Sequence, residues 1–388
     1  MRLAERVQNL PPYLFAELDK RVAAKRASGA DVISLGVGDP DLPTPTHIVE
    51  ALREAAEDPS THQYPSYYGL PAFRKAVADF YGRRFGVELD PDTEVQPLIG
   101  SKEGLAHLAW AFIDPGNEAL VADPGYPVFG IATMLAGGTP TPMPLTAEHN
   151  FLPVFGDVHV GDRTRMMWLN YPTNPTAAVA DLAFFEEAVA FARRHDLLLC
   201  HDGAYSEITF DGYVAPSVLQ VPGAKDVCIE FGSLSKTYNM TGWRIGYAVG
   251  NREAVGALAT VKTNVDSGIF NAVQRAGIAA LEGPQDIVDE MRAVYQKRRD
   301  VVVATLRDIG IPIESPLGSI YVWVPTPAGK SSVAFADELL QEAAVVVAPG
   351  TGYGANGEGY VRFSLTVSDA RLQEAMDRIR ERLRPPVT

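Results

Sequence analysis

The sequence predicts an α/β fold, in which a large domain with a mostly parallel mixed sheet between helices is joined to a small α+β domain. Strand-length and helix-length apolar patterns alternate from about residue 95 to residue 249, which is typical of a parallel sheet covered by helices. The predicted strands at residues 197–201 and 227–231 are almost continuously apolar, as expected of strands buried on both faces. After about residue 284 a long helical pattern leads into a tail of mostly short strands, which indicates a second unit.

The N-terminal segment, residues 1–45, is expected to pack with the small domain. Its apolar spacing predicts a helix over residues 14–27 and a short strand over residues 31–35. Thr46 is then expected to cap a helix that extends to about residue 57. An aromatic loop at residues 64–69 leads into a helix over residues 71–85.

The large domain is predicted at residues 46–285 and the small domain at residues 286–388. The predicted strands of the large domain are residues 95–99, 119–122, 139–142, 166–169, 197–201, 227–231 and 245–249. The helices between them are predicted at residues 102–113, 128–136 and 184–194. In the small domain the pattern predicts helices at residues 287–309 and 370–383 and strands at residues 320–324, 345–347 and 360–365.

The composition excludes several classes of function. The 388 residues carry a formal net charge of −14, which argues against a nucleic-acid or anionic-membrane partner because both require clustered positive charge. No apolar run approaches the roughly 20 residues of a membrane span, and the first residues lack the apolar core of a signal peptide. Two cysteines, Cys200 and Cys228, make a disulfide framework implausible, so a cytoplasmic location is expected.

Three features are interpreted as not belonging to a ligand site. The segment at residues 352–357 fits the pattern GxGxxG, but it runs from a strand into another strand and is therefore expected to be a turn-rich loop. Cys200, His201 and Asp202 are adjacent on a predicted strand and alternate between its faces, so no metal site is expected there. His107 and His195 lie on predicted helices without partners at ligand spacing and are interpreted as surface or core histidines.

The most informative stretch follows the predicted strand at residues 227–231. Ser233, Ser235 and Lys236 come just after this buried strand, where α/β sheets form their ligand crevice. Lysine forms Schiff bases when its pKa is lowered. Together with Arg244, the two hydroxyls would provide donors for a phosphate group. A lysine beside a phosphate cradle is what pyridoxal 5'-phosphate requires.

Other residues fit the remaining needs of that cofactor. Asp202 ends a buried strand and is suited to pair with the pyridinium nitrogen, while Tyr205 can donate to the ring oxygen. Ser101 and Lys102 lie at a strand-to-helix junction, where free N–H groups bind anions. Further candidates come from two other loops: Tyr126 to stack on the ring and Asn174 to bond the ring oxygen. Each of these motifs alone fits a turn or a helix cap equally well, but their joint order favours the cofactor.

With these residues in place, the chain resembles the class I and II aminotransferases of the fold-type I pyridoxal-phosphate enzymes over essentially its whole length. The resemblance implies that Lys236 holds the cofactor and acts with Asp202 in catalysis, that Arg362 clamps the substrate α-carboxylate, and that Gly38 lies near it. It also implies that Tyr64 reaches the phosphate of a neighbouring subunit, so a homodimer with shared sites is expected. Ala177 stands where the family usually has glycine, which matters little if this position avoids positive φ.

Within the family, stretches such as Ser235-Lys-Thr-Tyr-Asn-Met-Thr-Gly-Trp-Arg244 resemble bacterial LL-diaminopimelate aminotransferases. In those enzymes the residues matching Tyr13 and Lys102 lie near substrate, and Tyr126 and Asn174 would contact it as well. The arginine that dicarboxylate-specific relatives carry just before Lys262 is missing here, which makes aspartate a less favoured donor.

The implied reaction moves an amino group from an L-amino acid, with LL-2,6-diaminopimelate as the first candidate, to a 2-oxo acid such as 2-oxoglutarate by a ping-pong mechanism. Alanine, aspartate and N-succinyl-diaminopimelate are the alternative donors. A pyridoxal-phosphate-dependent C–S lyase is an alternative function, since one scaffold supports both outcomes. A non-catalytic sensor domain that binds the same cofactor is a further alternative, which the absence of a DNA-binding segment disfavours.

Overall fold

The computed structural model describes residues 1–11 and 15–383, with the side chains of residues 15–18 excepted. The described strands are β1 (Ile33–Ser34), β2 (Val95–Leu98), β3 (Glu118–Asp123), β4 (Thr139–Pro144), β5 (Thr164–Leu169), β6 (Leu198–Asp202), β7 (Cys228–Ser233), β8 (Gly246–Gly250), β9 (Tyr321–Pro325), β10 (Val345–Val346), β11 (Ala348–Pro349) and β12 (Tyr360–Ser364). The described α-helices are α1 (Glu5–Gln8), α2 (Phe15–Ala27), α3 (Thr46–Glu57), α4 (Pro71–Phe85), α5 (Ser101–Phe112), α6 (Val128–Leu135), α7 (Leu182–Arg194), α8 (Leu234–Thr237), α9 (Arg252–Val265), α10 (Asn271–Glu282), α11 (Asp286–Asp308), α12 (Ser332–Ala343) and α13 (Asp369–Leu383).

A seven-stranded mixed sheet forms the centre of the larger part of the chain. Its strand order is β2-β8-β7-β6-β5-β3-β4, and only β8 runs antiparallel to its neighbours β2 and β7. The remaining pairs are parallel, so the predicted α/β class is confirmed. The central strands β6 and β7 are buried almost throughout, which explains their continuous apolar sequence.

A second group of strands lies in the C-terminal part. Strands β11, β12 and β9 form an antiparallel sheet, and β1 pairs in parallel with β10. The pairing of β1 with β10 brings the N-terminal segment to the C-terminal part of the chain. The boundaries at residues 45/46 and 285/286 stay predictions. Within the described ranges, no helix combines the length and the apolar composition that a membrane span requires.

The sequence interpretation missed the longer helices α9, α10 and α12 and the one-turn helices α1 and α8. Helix α12 lies in the tail that was expected to be mostly strands. Its signals are a capping serine, since Ser331 accepts a hydrogen bond from the Ala334 N–H at 3.2 Å, and buried residues at helical spacing. The expected cap at Thr46 is also wrong, because Pro45 occupies the N-cap position and Thr46 is already the first residue of α3.

Candidate active site

Lys236 lies on the short helix α8, directly after strand β7. The hydroxyl of Ser233 accepts a hydrogen bond from the Ser235 N–H at 3.2 Å and so starts the turn that carries the lysine. The Lys236 Nζ donates to the carbonyl oxygen of Gly38 at 2.8 Å. Burial lowers the pKa of Lys236 below its usual value. No carboxylate of the described residues forms an ion pair with this half-buried amine, so it is suited to accept a proton or to act as a nucleophile.

Gly38 is packed too closely for any side chain. A Cβ atom at this position would lie 2.0 Å from the Tyr321 hydroxyl oxygen, so glycine allows β9 and the N-terminal segment to meet. Tyr321 in turn lies 3.2 Å, oxygen to oxygen, from the Tyr205 hydroxyl. The structure therefore brings three segments that are distant in sequence to the Lys236 amine.

The turn between β2 and α5 forms a cradle of hydrogen-bond donors with positive charge. Gly100 has a φ of 74° and precedes Ser101, the first residue of α5, and no described side chain caps this helix end. A Cβ at Gly100 would lie 2.1 Å from Arg244 Nη2, so the guanidinium rests on the turn. The Arg244 side chain is held by a hydrogen bond from its Nη1 to the Thr241 carbonyl at 2.7 Å. Free N–H groups beside a guanidinium are suited to bind a phosphate.

Asp202 ends strand β6 and is 4% exposed. Its carboxylate accepts a hydrogen bond from the Ala204 N–H at 3.3 Å, but no described lysine or arginine forms an ion pair with it. Burial raises the pKa of Asp202 to about 6. A buried carboxylate in this state is stabilised by any ligand that brings a cationic N–H group to it.

Arg362 and Asn174 come together from β12 and from the loop after β5. Arg362 Nη1 donates to Asn174 Oδ1 at 2.7 Å, and Nη2 donates to the Gly36 carbonyl at 2.7 Å. The guanidinium lies 3.9 Å above the Tyr321 ring centre. Its buried Nε has no hydrogen-bond partner among the described residues, so the group keeps donor capacity for a carboxylate ligand.

The loop that carries Asn174 is tied to the strand that carries Asp202. Asn170 Oδ1 accepts from the Asn174 N–H at 2.8 Å, and its Nδ2 donates to the Asp202 carbonyl at 2.7 Å. In the same loop Ala177 has a φ of 57°. The condition under which its departure from the family glycine would matter little is therefore not met, because this conformation is strained for a residue with a Cβ.

Gly38, Asn174, Tyr321 and Arg362 line a cavity of about 750 Å³. Tyr126 contributes to its wall and packs edge-on against Phe129, with ring centres 5.6 Å apart. Much of the wall is apolar and comes from α6 and α12. The polar or charged residues that line it include Arg21, Lys102, Asn174, Asp337, Thr351 and Arg362.

The structure does not place Tyr64 and Tyr13 with the other predicted site residues. Tyr64 is 88% exposed and does not line the cavity, so its expected role at a neighbouring subunit's site stays a prediction. Tyr13 lies outside the described residues. Their assignment as ligand contacts depends on the resemblance alone.

The sequence reasoning missed Tyr321, Tyr353 and the contact between Asp123 and Asn356. The Asp123 carboxylate accepts from the Asn356 N–H at 3.0 Å and from its Nδ2 at 2.9 Å. This contact holds the segment at residues 352–357, which forms the turn-rich loop that was expected. The segment thus docks onto the end of β3, beside Tyr126. Its signal was the buried aspartate at the end of a strand, whose partner is more than 200 residues away in sequence.

Comparisons with known proteins cover nearly the whole chain. The model of the aminotransferase class I and II family matches residues 30–379. The LL-diaminopimelate aminotransferase of Desulforudis audaxviator is 57% identical over 379 residues, which are 97% of each chain. The enzyme of the same name from Moorella thermoacetica is 55% identical over 382 residues, 98% of each chain. The structure of substrate-bound BacF from Bacillus subtilis matches with a TM-score of 0.94 at 39% identity and covers 98% of each chain.

Proposed function

The chain belongs to the class I and II aminotransferases, and from this membership and the geometry of the cleft we propose that it transfers the amino group of LL-2,6-diaminopimelate with pyridoxal 5'-phosphate as cofactor. The expected fold-type I architecture and the resemblance to this family are confirmed by the matches. The observation that carries the proposal is the hydrogen bond from Lys236 Nζ to the carbonyl of Gly38, since Gly38 lines one cavity together with Tyr321 and Arg362.

The residues of the cleft fit this cofactor. The turn at Gly100 and Ser101 with Arg244 would hold its phosphate, together with the hydroxyls of Ser233 and Ser235. Asp202 is buried, and no lysine or arginine of the described part of the chain pairs with it, so a protonated ring nitrogen would supply the charge that this carboxylate lacks.

The ring would lie among side chains from three further loops. Tyr126 would stack on the ring, and Tyr205 and Asn174 would bond its oxygen. Lys102 is placed by the proposal near the phosphate and the substrate, since it follows Ser101 and lines the cavity.

Bound pyridoxal phosphate supplies an electron sink that stabilises negative charge on the substrate α-carbon. Arg362 and Asn174 bind the α-carboxylate and thereby orient the Cα–H bond. Lys236 would hold the cofactor and would take the α-proton at Nζ, a task that its lowered pKa favours. Asp202 would keep the ring nitrogen protonated.

The donor and the acceptor are finer parts of the proposal. Relatives that share 52–57% identity with the chain carry the name LL-diaminopimelate aminotransferase, and this supports diaminopimelate as donor. The arginine of dicarboxylate-specific relatives is missing before Lys262, which disfavours aspartate. We take 2-oxoglutarate as acceptor and expect ping-pong kinetics, since donor and acceptor would use the same carboxylate clamp in turn. A homodimer is included because the exposed Tyr64 would serve the neighbouring site.

The cofactor is tested by reduction. Purified protein reconstituted with pyridoxal phosphate is expected to be yellow, and borohydride is expected to attach the cofactor to Lys236, as peptide mass mapping would detect. A colourless protein with an unlabelled Lys236 would overturn the proposal.

The donor is tested by a panel of amino acids with 2-oxoglutarate. We expect the highest kcat/KM for LL-diaminopimelate, ahead of alanine, aspartate and N-succinyl-diaminopimelate. If diaminopimelate is inert while alanine or aspartate reacts well, the substrate assignment is wrong. Release of ammonia and pyruvate from a thiol-bearing amino acid would instead identify a lyase.

A further inference from the structure

A cluster of charged side chains lies behind the phosphate cradle and has no part in the proposed reaction. It consists of Glu103 and His107 on α5, Lys262 on α9 and Asp266 just after α9. We call it the α5–α9 cluster. Lys262 is only 1% exposed, and its Nζ contacts Glu103 Oε1 and lies 3.0 Å from Asp266 Oδ2. His107 Nδ1 lies 2.8 Å from Glu103 Oε2.

His107 is buried, as the interpretation as a surface or core histidine allows. The statement that it has no partners at ligand spacing is wrong, because Glu103 lies one helical turn before it. Glu103, His107 and Asp266 are close enough to one another to hold a metal ion. The Lys262 ammonium, however, already bridges the two carboxylates. The Lys262 ammonium therefore occupies the place of a metal ion between the two carboxylates, and the function of the cluster depends on this ammonium.

The cluster is joined to the cradle through Glu103. The same Oε1 atom that contacts Lys262 accepts a hydrogen bond from the Ile99 N–H at 2.8 Å. Ile99 precedes Gly100, the residue on which Arg244 rests. One carboxylate oxygen thus holds the turn and is held by the lysine, so the position of Ser101 depends on both.

The electrostatics of the cradle also require the lysine. Glu103 lies in the first turn of α5, at the helix end where a phosphate would bind. A carboxylate there repels an anion, and Asp266 adds a second negative charge nearby. With its one positive charge, Lys262 leaves the three groups with a single negative charge in place of two.

Resting on the proposed pyridoxal phosphate function, we propose that Lys262 is a positioning residue for the phosphate of the cofactor. Its buried ammonium offsets Glu103 and Asp266 and keeps Glu103 on the turn that presents Ser101. The substitution Lys262→Met keeps the volume but leaves two adjacent carboxylates without their cation. The double substitution Glu103→Gln with Lys262→Met returns the cluster to a single negative charge.

The test compares pyridoxal phosphate with pyridoxal, which lacks the phosphate. Each apoprotein is titrated with both aldehydes, and uptake is followed by visible absorbance. Lys262→Met is expected to weaken binding of pyridoxal phosphate on the order of tenfold and to leave that of pyridoxal unchanged. The double variant is expected to regain most of the loss. Glu103→Gln alone is expected to bind the phosphorylated form at least as tightly as the wild type.

A matched control is Lys225→Met. Lys225 also forms an ion pair with a buried glutamate, since its Nζ lies 3.0 Å from Glu94 Oε2. It contacts no residue of the cradle. The inference would be overturned if Lys262→Met lost affinity for both aldehydes equally. It would also be overturned if this variant bound pyridoxal phosphate as tightly as the wild type. If that variant fails to fold, weaker binding of pyridoxal phosphate by Glu103→Gln would do so. A wild-type protein that takes up no pyridoxal phosphate would contradict the proposed function itself.

Discussion

Two carboxylates, Asp202 and Glu230, lie on neighbouring central strands. They are equally buried but differ in the number of hydrogen bonds that they accept. Asp202 is 4% exposed and Glu230 is 3% exposed. Glu230 accepts from Tyr81 at 2.6 Å, from Ser217 and His201 at 2.8 Å and from the Val218 N–H at 3.0 Å. Asp202 accepts one backbone hydrogen bond at 3.3 Å. Because successive residues of a strand face opposite sides, His201 joins Glu230 on one face while Asp202 faces the other.

The surroundings determine the charge state of each group. Burial raises the pKa of Asp202 to about 6. Burial also acts to raise the pKa of Glu230, but the hydrogen bonds from His201, Tyr81 and Ser217 outweigh it and hold the pKa below its usual value. Burial alone therefore does not identify a functional charge. The buried carboxylate with a single hydrogen bond, Asp202, identifies the side of the sheet where a ligand would complete the structure.

Lys236 and Lys262 differ in the same way, and this difference leads to the largest expected effect. Lys236 donates to a carbonyl, whereas Lys262 is bound by two carboxylates. Lys236→Ala is expected to lower kcat with diaminopimelate by roughly 10⁴-fold, because the proton-transfer group is lost. Steady-state and single-turnover rates would measure this loss. Lys297→Ala, which removes an exposed amine 2.9 Å from Asp369, is the control and should retain activity. If the kcat of Lys236→Ala lay within tenfold of the wild-type value, Lys236 would not be the proton-transfer group, and its difference from Lys262 would have no functional meaning.

The second prediction concerns the fully bonded carboxylate. Glu230→Gln is expected to destabilise the protein by about 3 kcal/mol near neutral pH, because it removes the charge that His201, Tyr81 and Ser217 are arranged to bind. The folded-state pKa of Glu230 is lowered. Its charged carboxylate therefore contributes to stability at pH values above the usual glutamate pKa, and this contribution is lost as the pH falls through the folded-state pKa. The cost of the substitution should therefore shrink in acid. Urea denaturation at several pH values would measure it, and a cost that grows in acid would contradict the assignment.

The residues of the cleft could be predicted where one short stretch carries the chemistry. Lys236, Asp202 and Asn174 each follow a buried strand, and the sequence identifies strand ends. Tyr321 and Glu230 could not be predicted, since their roles arise from contacts between segments that are distant in sequence. Glu230 looked like an interruption of an apolar strand, and nothing local indicates its four donors. The parallel sheet could be predicted for the same reason as the strand ends, because its strands have a clear apolar pattern. Helix α12 was missed because predicted strands flank it in the sequence.

The third prediction reverses the sign of the second. Because the folded-state pKa of Asp202 is raised from 3.8 to about 6, stability of the cofactor-free protein falls as the pH rises through this window. Asp202→Asn removes that loss, so the cofactor-free variant is expected to be more stable than wild type by up to about 3 kcal/mol near pH 7. The gain should vanish below about pH 4, and the variant should hold the cofactor poorly. Denaturation of both apoproteins across this range is the measurement. A gain that is independent of pH would show that the carboxylate is not the cause.

The smallest effect concerns backbone strain at the cleft and away from it. Ala177 in the Asn174 loop has a φ of 57°, and Ala344, which ends α12, has a φ of 52°. Glycine relieves this conformation but adds entropy to the unfolded chain. Ala344 is half-buried, so Ala344→Gly is expected to stabilise the protein by about 0.5 kcal/mol. Ala177 is 3% exposed, so Ala177→Gly also loses a buried methyl group worth about 0.8 kcal/mol and should be nearly neutral. Equal gains in urea denaturation would mean that packing around Ala177 contributes nothing. A larger gain at Ala177 would mean that the backbone of the cleft loop is more strained than the end of α12. The cleft would then combine backbone strain at Ala177 with an unfavourable buried charge at Asp202 on the neighbouring strand.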